Sequence, residues 1–157
     1  MMEKNMIGLS KEKTAALAED LNKLLADYQI LYTNVRGYHW NIKGRDFFEL
    51  HVKFEEIYND LVLKVDEIAE RILTLGSTPL HGFSRYLEVS DLEETLNVTQ
   101  GTEAVANILS AYQVLLKKQR LIVKTAAEVD DEGTLTLLTD YISQQEKECW
   151  MLNAYLQ

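Results

Sequence analysis

Two histidines, His39 and His51, lie twelve residues apart on either side of Gly44 in the stretch YHWNIKGRDFFELH. Imidazole is the commonest side-chain metal ligand, and its ordinary pKa lies close to neutrality. Two acids at one-turn spacing, Asp66 and Glu70, follow in DEIAER. Carboxylates at i and i+4 lie on one helix face and can serve one ion together. Two imidazoles with two carboxylates form a mixed N/O set, suited to iron, zinc or manganese rather than to copper(I) or calcium. Helical bundles often build such sites internally from Glu-x-x-His pairs. None exists here, because Arg36, Phe48 and Thr78 stand three residues before His39, His51 and His81.

The surrounding pattern says how these residues could meet. Leu50, Phe54, Ile57, Leu61, Val65, Ile68 and Ile72 recur every three or four positions, which predicts an amphipathic helix. With Leu61 placed at 0°, His51 falls at about 80°, Glu55 at about 120°, Asp66 at about 140° and Glu70 at about 180°. These ligands share one side of the helix, away from its core stripe. Phe48, Val62 and Leu73 share that side too. A solvated face rarely mixes such residues with His, Asp and Glu, so the mixture predicts burial against a second subunit.

Distance sets the geometry. His51 and Asp66 are separated by about 22 Å along one helix at 1.5 Å per residue, too far to share an ion within one chain. An antiparallel two-fold packing of this helix on its copy, crossing near residues 58–62, would bring residue 51 close to residues 66 and 70 of the mate. His39, at the end of the preceding helix, can converge on the same place. Taken singly, the residues have plainer readings. A histidine near a helix end more often caps or packs, and Asp66 and Glu70 could pair with Lys64 or Arg71 as a solvated stripe.

Four long amphipathic helices must position these groups. The first starts after Ser10, its expected N-cap, carries Leu17, Leu21, Leu24, Tyr28, Leu31 and Val35, and ends near Gly44. The second opens with Asp46 and Glu49, a relative of the capping box, and is ended by Gly76 and Pro79. A connection over 76–101 follows, in which Ser90-Asp91-Leu92-Glu93 predicts a short helix SDLEETL. The third helix carries Val105, Ile108, Tyr112, Leu115 and Ile122, and the acidic turn EVDDEGT separates it from the fourth. The fourth repeats apolar or small residues at Leu135, Leu138, Ile142, Cys149, Leu152 and Leu156. One long connection between the second and third helices predicts an all-α, ferritin-like four-helix bundle.

Composition agrees with one domain over residues 1–157, with 1–9 as a flexible N-terminal segment. The chain is 46% hydrophobic and has one Pro and seven Gly, which favours long helices over a many-turned β fold. A net charge of -9 repels nucleic acid and anionic membranes and attracts cations. The single Cys149 excludes an intrachain disulfide and fits a reducing compartment. No apolar run is long enough to span a bilayer and the N-terminus lacks a signal-peptide core, so a cytoplasmic location is expected. Trp40 reads as an interfacial aromatic and His81 as a loop residue.

The run HWNIKGRDFFELHVKFEEIYNDLVLKVDEIAER resembles the signature of the Dps family, the DNA-binding proteins from starved cells or mini-ferritins. That signature reads H-W, a Gly, F, a second His twelve residues after the first, and D-x-x-A-E-R. It is matched by His39-Trp40, Gly44, Phe47 or Phe48, His51 and Asp66 to Arg71. The likeness covers nearly the whole chain, including Trp150 in the last helix.

The resemblance implies a hollow homododecamer that oxidises Fe(II), preferentially with hydrogen peroxide, at ferroxidase sites between subunits. It also implies storage of ferric mineral inside the cage and protection against oxidative stress. By position, His39 and His51 of one subunit and Asp66 and Glu70 of its mate are implied as iron ligands, with Glu55 near a second iron position; zinc or manganese could substitute. Glu128, Asp130, Asp131 and Glu132 match in kind the acids that line iron-entry pores in the family, although Thr136 stands where a further acid is expected. Members that condense DNA usually carry Lys/Arg-rich tails. Here Lys4, Lys11 and Lys13 are offset by Glu3 and Glu12, so a nucleoid protein is the alternative and DNA binding is expected to be weak or absent.

Overall fold

The computed structural model describes residues 3–157. They form five helices: α1 Lys11–Asn41, α2 Phe47–Thr74, α3 Phe83–Val89, α4 Gly101–Glu128 and α5 Glu132–Leu156. α1 packs on α2, α4 on α5, and α1 on α4, while α3 lies against α1. This is the expected four-helix bundle with a short helix in its long connection.

The helix ends follow from local chemistry. The Ser10 side chain accepts a hydrogen bond from the Lys13 N–H, satisfying an orphan donor of the first turn of α1. At the end of α2, Gly76 adopts φ +91, a left-handed conformation that costs glycine little. The Ser77 and Gly76 N–H groups then reach the carbonyls of Ile72 and Leu73, completing a Schellman cap.

The α2 stripe is buried as its spacing requires: Leu50, Phe54, Ile57, Leu61, Ile68 and Ile72 lie in the core, with Val65 partly covered. The centre of the bundle holds a ring of three buried polar side chains. The Tyr28 hydroxyl donates to Gln119 Oε1 at 2.6 Å, Gln145 Nε2 donates to that hydroxyl at 2.7 Å, and Gln119 Nε2 donates to Gln145 Oε1 at 2.9 Å. Burial drives the Tyr28 phenol far above its ordinary pKa, so the ring is neutral.

Four sequence expectations are corrected. The short helix covers Phe83–Val89, not SDLEETL, and Ser90 is its C-terminal cap. Asp27, buried in α1, accepts from the Ser90 hydroxyl at 2.9 Å and the Asp91 N–H at 2.7 Å. Lys118 then bridges Asp27 and Asp91. That partner, far away in sequence, pulls the would-be capping box out of helical geometry. Second, Asp46 does precede α2, but its side chain makes no capping bond and instead accepts from the Tyr155 hydroxyl at 2.9 Å. Third, residues 3–9 fold back onto the bundle: Asn5 accepts from the N–H groups of Ile7 and Leu9 and donates to the Leu75 carbonyl. Residues 1 and 2 lie outside the described residues. Fourth, Asp131 is buried at the N-terminus of α5, so it does not belong with exposed Glu128, Asp130 and Glu132.

Candidate metal centre between subunits

His39 lies in the last turn of α1 and His51 in the second turn of α2, so the tight 42–46 turn brings the two rings together. His51 Nδ1 lies 2.7 Å from the His39 carbonyl, and His39 Nδ1 lies 2.6 Å from the His51 carbonyl. A carbonyl only accepts, so each Nδ1 carries a proton, and in the neutral ring Nε2 is then the nitrogen with the lone pair. The His39 carbonyl belongs to the last turn of α1, where no intrahelical N–H is left to meet it. One helix end thus orients a ring on the next helix. This is the backbone support by which proteins set the tautomer of a metal-binding histidine.

The rings stack with centroids 3.8 Å apart and planes 12° from parallel. Imidazole lone pairs lie in the ring plane, and metal–nitrogen bonds are about 2.0–2.1 Å long. Two nearly parallel rings therefore cannot aim at one ion; they address two neighbouring positions. Phe47 stacks on the outer face of His51 at 4.9 Å, and Tyr58 meets His39 edge-on at 5.3 Å. Phe47 is thus the aromatic of the pattern that matters here, whereas Phe48 is 81% exposed. Sequence reasoning left these two open and gave Tyr58 no role beyond marking the crossing, because ring stacking has no periodicity to detect.

Glu55, Asp66 and Glu70 are all exposed on the outward side of α2. Neither cation suggested for Asp66 or Glu70 pairs with them. Lys64 is buried on Asp60 and Gln144, and Arg71 binds Asp131 and donates to Thr134 Oγ1 at 2.9 Å. Gly133 makes room for this guanidinium, since a Cβ there would lie 2.7 Å from both terminal nitrogens. Among the described residues no group of three or more His, Cys, Asp or Glu is placed to hold a metal. One chain brings His39 and His51 together and leaves Asp66 and Glu70 apart from them. Exposed Phe48, Val52, Val62 and Leu73 accompany the acids along the same side of α2.

A ferritin-like domain model matches residues 18–157. The chain is 43% identical over 148 residues to a DNA protection during starvation protein of Porphyromonas gingivalis, covering 94% of this chain and 93% of that protein. The crystal structure of a Dps protein from Vibrio cholerae superposes with a TM-score of 0.98 at 51% identity, covering 100% of this chain and 99% of that one. It is described as a member of a broad superfamily of ferritin-like diiron-carboxylate proteins. This chain belongs to the Dps family. An uncharacterized protein of Haemophilus influenzae is also similar, with 53% identity over 156 residues covering 99% of this chain and 98% of that protein. Membership in this Dps group carries iron binding and iron storage or DNA protection as its functions at family level. No helix among the described residues is long and apolar enough to cross a membrane.

Proposed function

We propose that this Dps protein is a ferroxidase and iron store that acts in the cytoplasm and consumes hydrogen peroxide at sites shared between subunits of a homododecamer. The observation that carries this reading is the stacked His39–His51 pair with both Nδ1 protons committed to backbone carbonyls. Two imidazole Nε2 atoms, one per stacked ring, suit two Fe(II) ions as substrate, each meeting one imidazole. Asp66 and Glu70 of a two-fold mate supply the carboxylates, and Glu55 stands beside the second position. Two Fe(II) give up two electrons, hydrogen peroxide with two protons becomes two waters, and two Fe(III) remain. Because both electrons come from paired irons, no one-electron cleavage to a hydroxyl radical is required. The chain's role is to position metal and oxidant; iron supplies the redox chemistry. Zinc and manganese fit the same N/O set as unreactive substitutes.

Adding Fe(II) anaerobically and then peroxide tests the assignment. His51→Ala combined with Asp66→Ala should slow the ferric absorbance, and equal rates in wild type and variant reject the site. A sizing column tests assembly, because a stable monomer would leave only half-sites.

DNA protection is a second reading, favoured by the similarity to the DNA protection during starvation protein of P. gingivalis. The net charge of -9 and the pinning of residues 3–9 by Asn5 argue for weak binding or none. A gel shift at low salt decides it.

A further inference from the structure

Arg36, three residues before His39 on α1, is a cation without an acid. Its guanidinium carbon lies 5.0 Å from the centroid of the Tyr32 ring and 4.9 Å from that of Trp40, within cation–π range of both. Its one hydrogen bond runs from Nη1 to the Tyr32 hydroxyl at 3.2 Å, and its buried Nε has no partner. Among the described residues no carboxylate forms an ion pair with it. Glu94 lines two clefts that Arg36 also borders, and it too stays unpaired. A half-buried arginine normally meets a carboxylate or a phosphate.

The helix geometry puts this cation beside the outward acids of α2. Tyr32, Arg36 and Trp40 are spaced by four and form one stripe on α1, and Tyr32 meets Tyr58 of α2 edge-on at 6.1 Å. On the α2 wheel Tyr58 falls at about 60°, next to His51 at about 80° and on the side of Glu55, Asp66 and Glu70. Ring contacts set the level of the two antiparallel helices: 39 lies beside 51, and 32 beside 58. Arg36 is therefore level with position 54. A two-fold crossing centred on residue 60 sets position 54 of one copy opposite position 66 of the other. Asp66 has no cation in its own chain, because Lys64 and Arg71 are engaged by Asp60 and Asp131. An unpaired cation and an unpaired acid thus come to the same height on two copies.

We propose that Arg36 is a positioning residue that pairs across the two-fold with Asp66 of the mate and holds that carboxylate until a metal ion takes it. The pairing rests on the shared intersubunit site described under Proposed function. Guanidinium and carboxylate match in shape, and the two aromatic contacts fix the guanidinium before the subunits meet. Without metal, the pair neutralises one of the carboxylates gathered at the seam and lets the subunits close. When a metal ion enters, Asp66 turns to it, and the positive charge fixed nearby repels the ion. Arg36 thus strengthens the empty interface and weakens the first metal contact.

Charge reversal in chelator-treated, metal-free protein tests the pairing on a sizing column. Arg36→Asp sets two carboxylates together and Asp66→Arg sets two guanidinium groups together, so each should weaken assembly by about tenfold or more. The double variant should restore it, with helix content by circular dichroism unchanged throughout. Arg36→Gln, which adds no like-charge clash, should bind Co(II) severalfold more tightly than wild type, a gain that a merely structural arginine would not give. Glu94→Gln should alter neither assembly nor Co(II) affinity. A double variant that assembles no better than the single ones overturns the pairing, as does Co(II) binding that is unchanged or weaker in Arg36→Gln. Effects of Glu94→Gln equal to those of Arg36→Gln overturn it too, by assigning the arginine to its own chain. If peroxide-driven iron oxidation needs His51 and Asp66 but the charge swap fails, the pairing alone is rejected. If that oxidation is equally fast in wild type and His51→Ala/Asp66→Ala, the shared site falls and the pairing with it.

Discussion

The two sides of α2 treat charge in opposite ways. Toward the bundle, Lys64 meets Asp60 and Gln144, Glu67 meets Tyr141 and Arg71 meets Asp131, all within one chain. Outward, Glu55, Asp66 and Glu70 are exposed among Phe48, Val52, Val62 and Leu73. These inward contacts tie α2 to α5 and to the turn before it within one chain. On the proposed reading, a second copy supplies the partners of the outward groups. The difference teaches that a helix face can be organised as fully as a core and still be incomplete until assembly.

The largest expected effect is on the inward side. Arg71→Ala leaves Asp131 buried and unpaired, and the side chains of this pair are 17% and 1% exposed. Denaturant unfolding should show a loss of about 3–5 kcal/mol. Equal stability in the variant would mean that the pair is dispensable.

On the outward side, Val62→Glu puts like charges at the proposed two-fold crossing. Such a clash costs several kcal/mol, so the assembly should dissociate on a sizing column and peroxide-driven iron oxidation should drop about a hundredfold. Helix content by circular dichroism should not change, since Val62 is 40% exposed within one chain. An intact cage with full activity would place the dimer contact elsewhere.

A smaller effect separates the two adjacent aromatics. Phe47→Ala removes the ring stacked on His51, worth about 0.5–1.5 kcal/mol, so Co(II) affinity should fall by about two- to tenfold. Phe47→Tyr, which keeps a flat ring, should restore it. No change in the Ala variant would show that the paired carbonyls alone orient the imidazole.

The smallest effect concerns acid stability. Lys118, hydrogen-bonded to Asp91, holds that carboxyl below its ordinary range. A depressed folded-state pKa contributes stability above the unfolded value, and the contribution is lost as pH falls through the folded value. Stability should therefore fall on acidification below about pH 4. In Asp91→Asn the slope there should be slightly shallower. Identical acid limbs in the two proteins would show that the contact is energetically silent, which exposed pairs often are.

Much of the bundle was legible because periodicity is a local property. The stripe from Leu50 to Ile72, the Ser10 cap and the Gly76 stop each depend on neighbours within a few turns. The short helix was misplaced because two signals conflicted: SDLE reads as a cap, but Asp27 and Lys118, distant in sequence, claim its groups. Asp131 misled in the same way, since an acid in an acidic turn looks solvated until Arg71 is folded onto it.

For the candidate centre, the sequence by itself determined which residue types sit on one side of α2. It also determined that His51 and Asp66 are too far apart along the helix to meet in one chain. Both follow from the fixed rise and rotation of a helix. Only the tertiary structure decided that His39 and His51 stack, that each donates Nδ1–H to the other's carbonyl, and that Phe47 rather than Phe48 supports them. Those facts depend on the angle at which α1 and α2 cross beyond a five-residue turn, and packing of the whole bundle sets that angle.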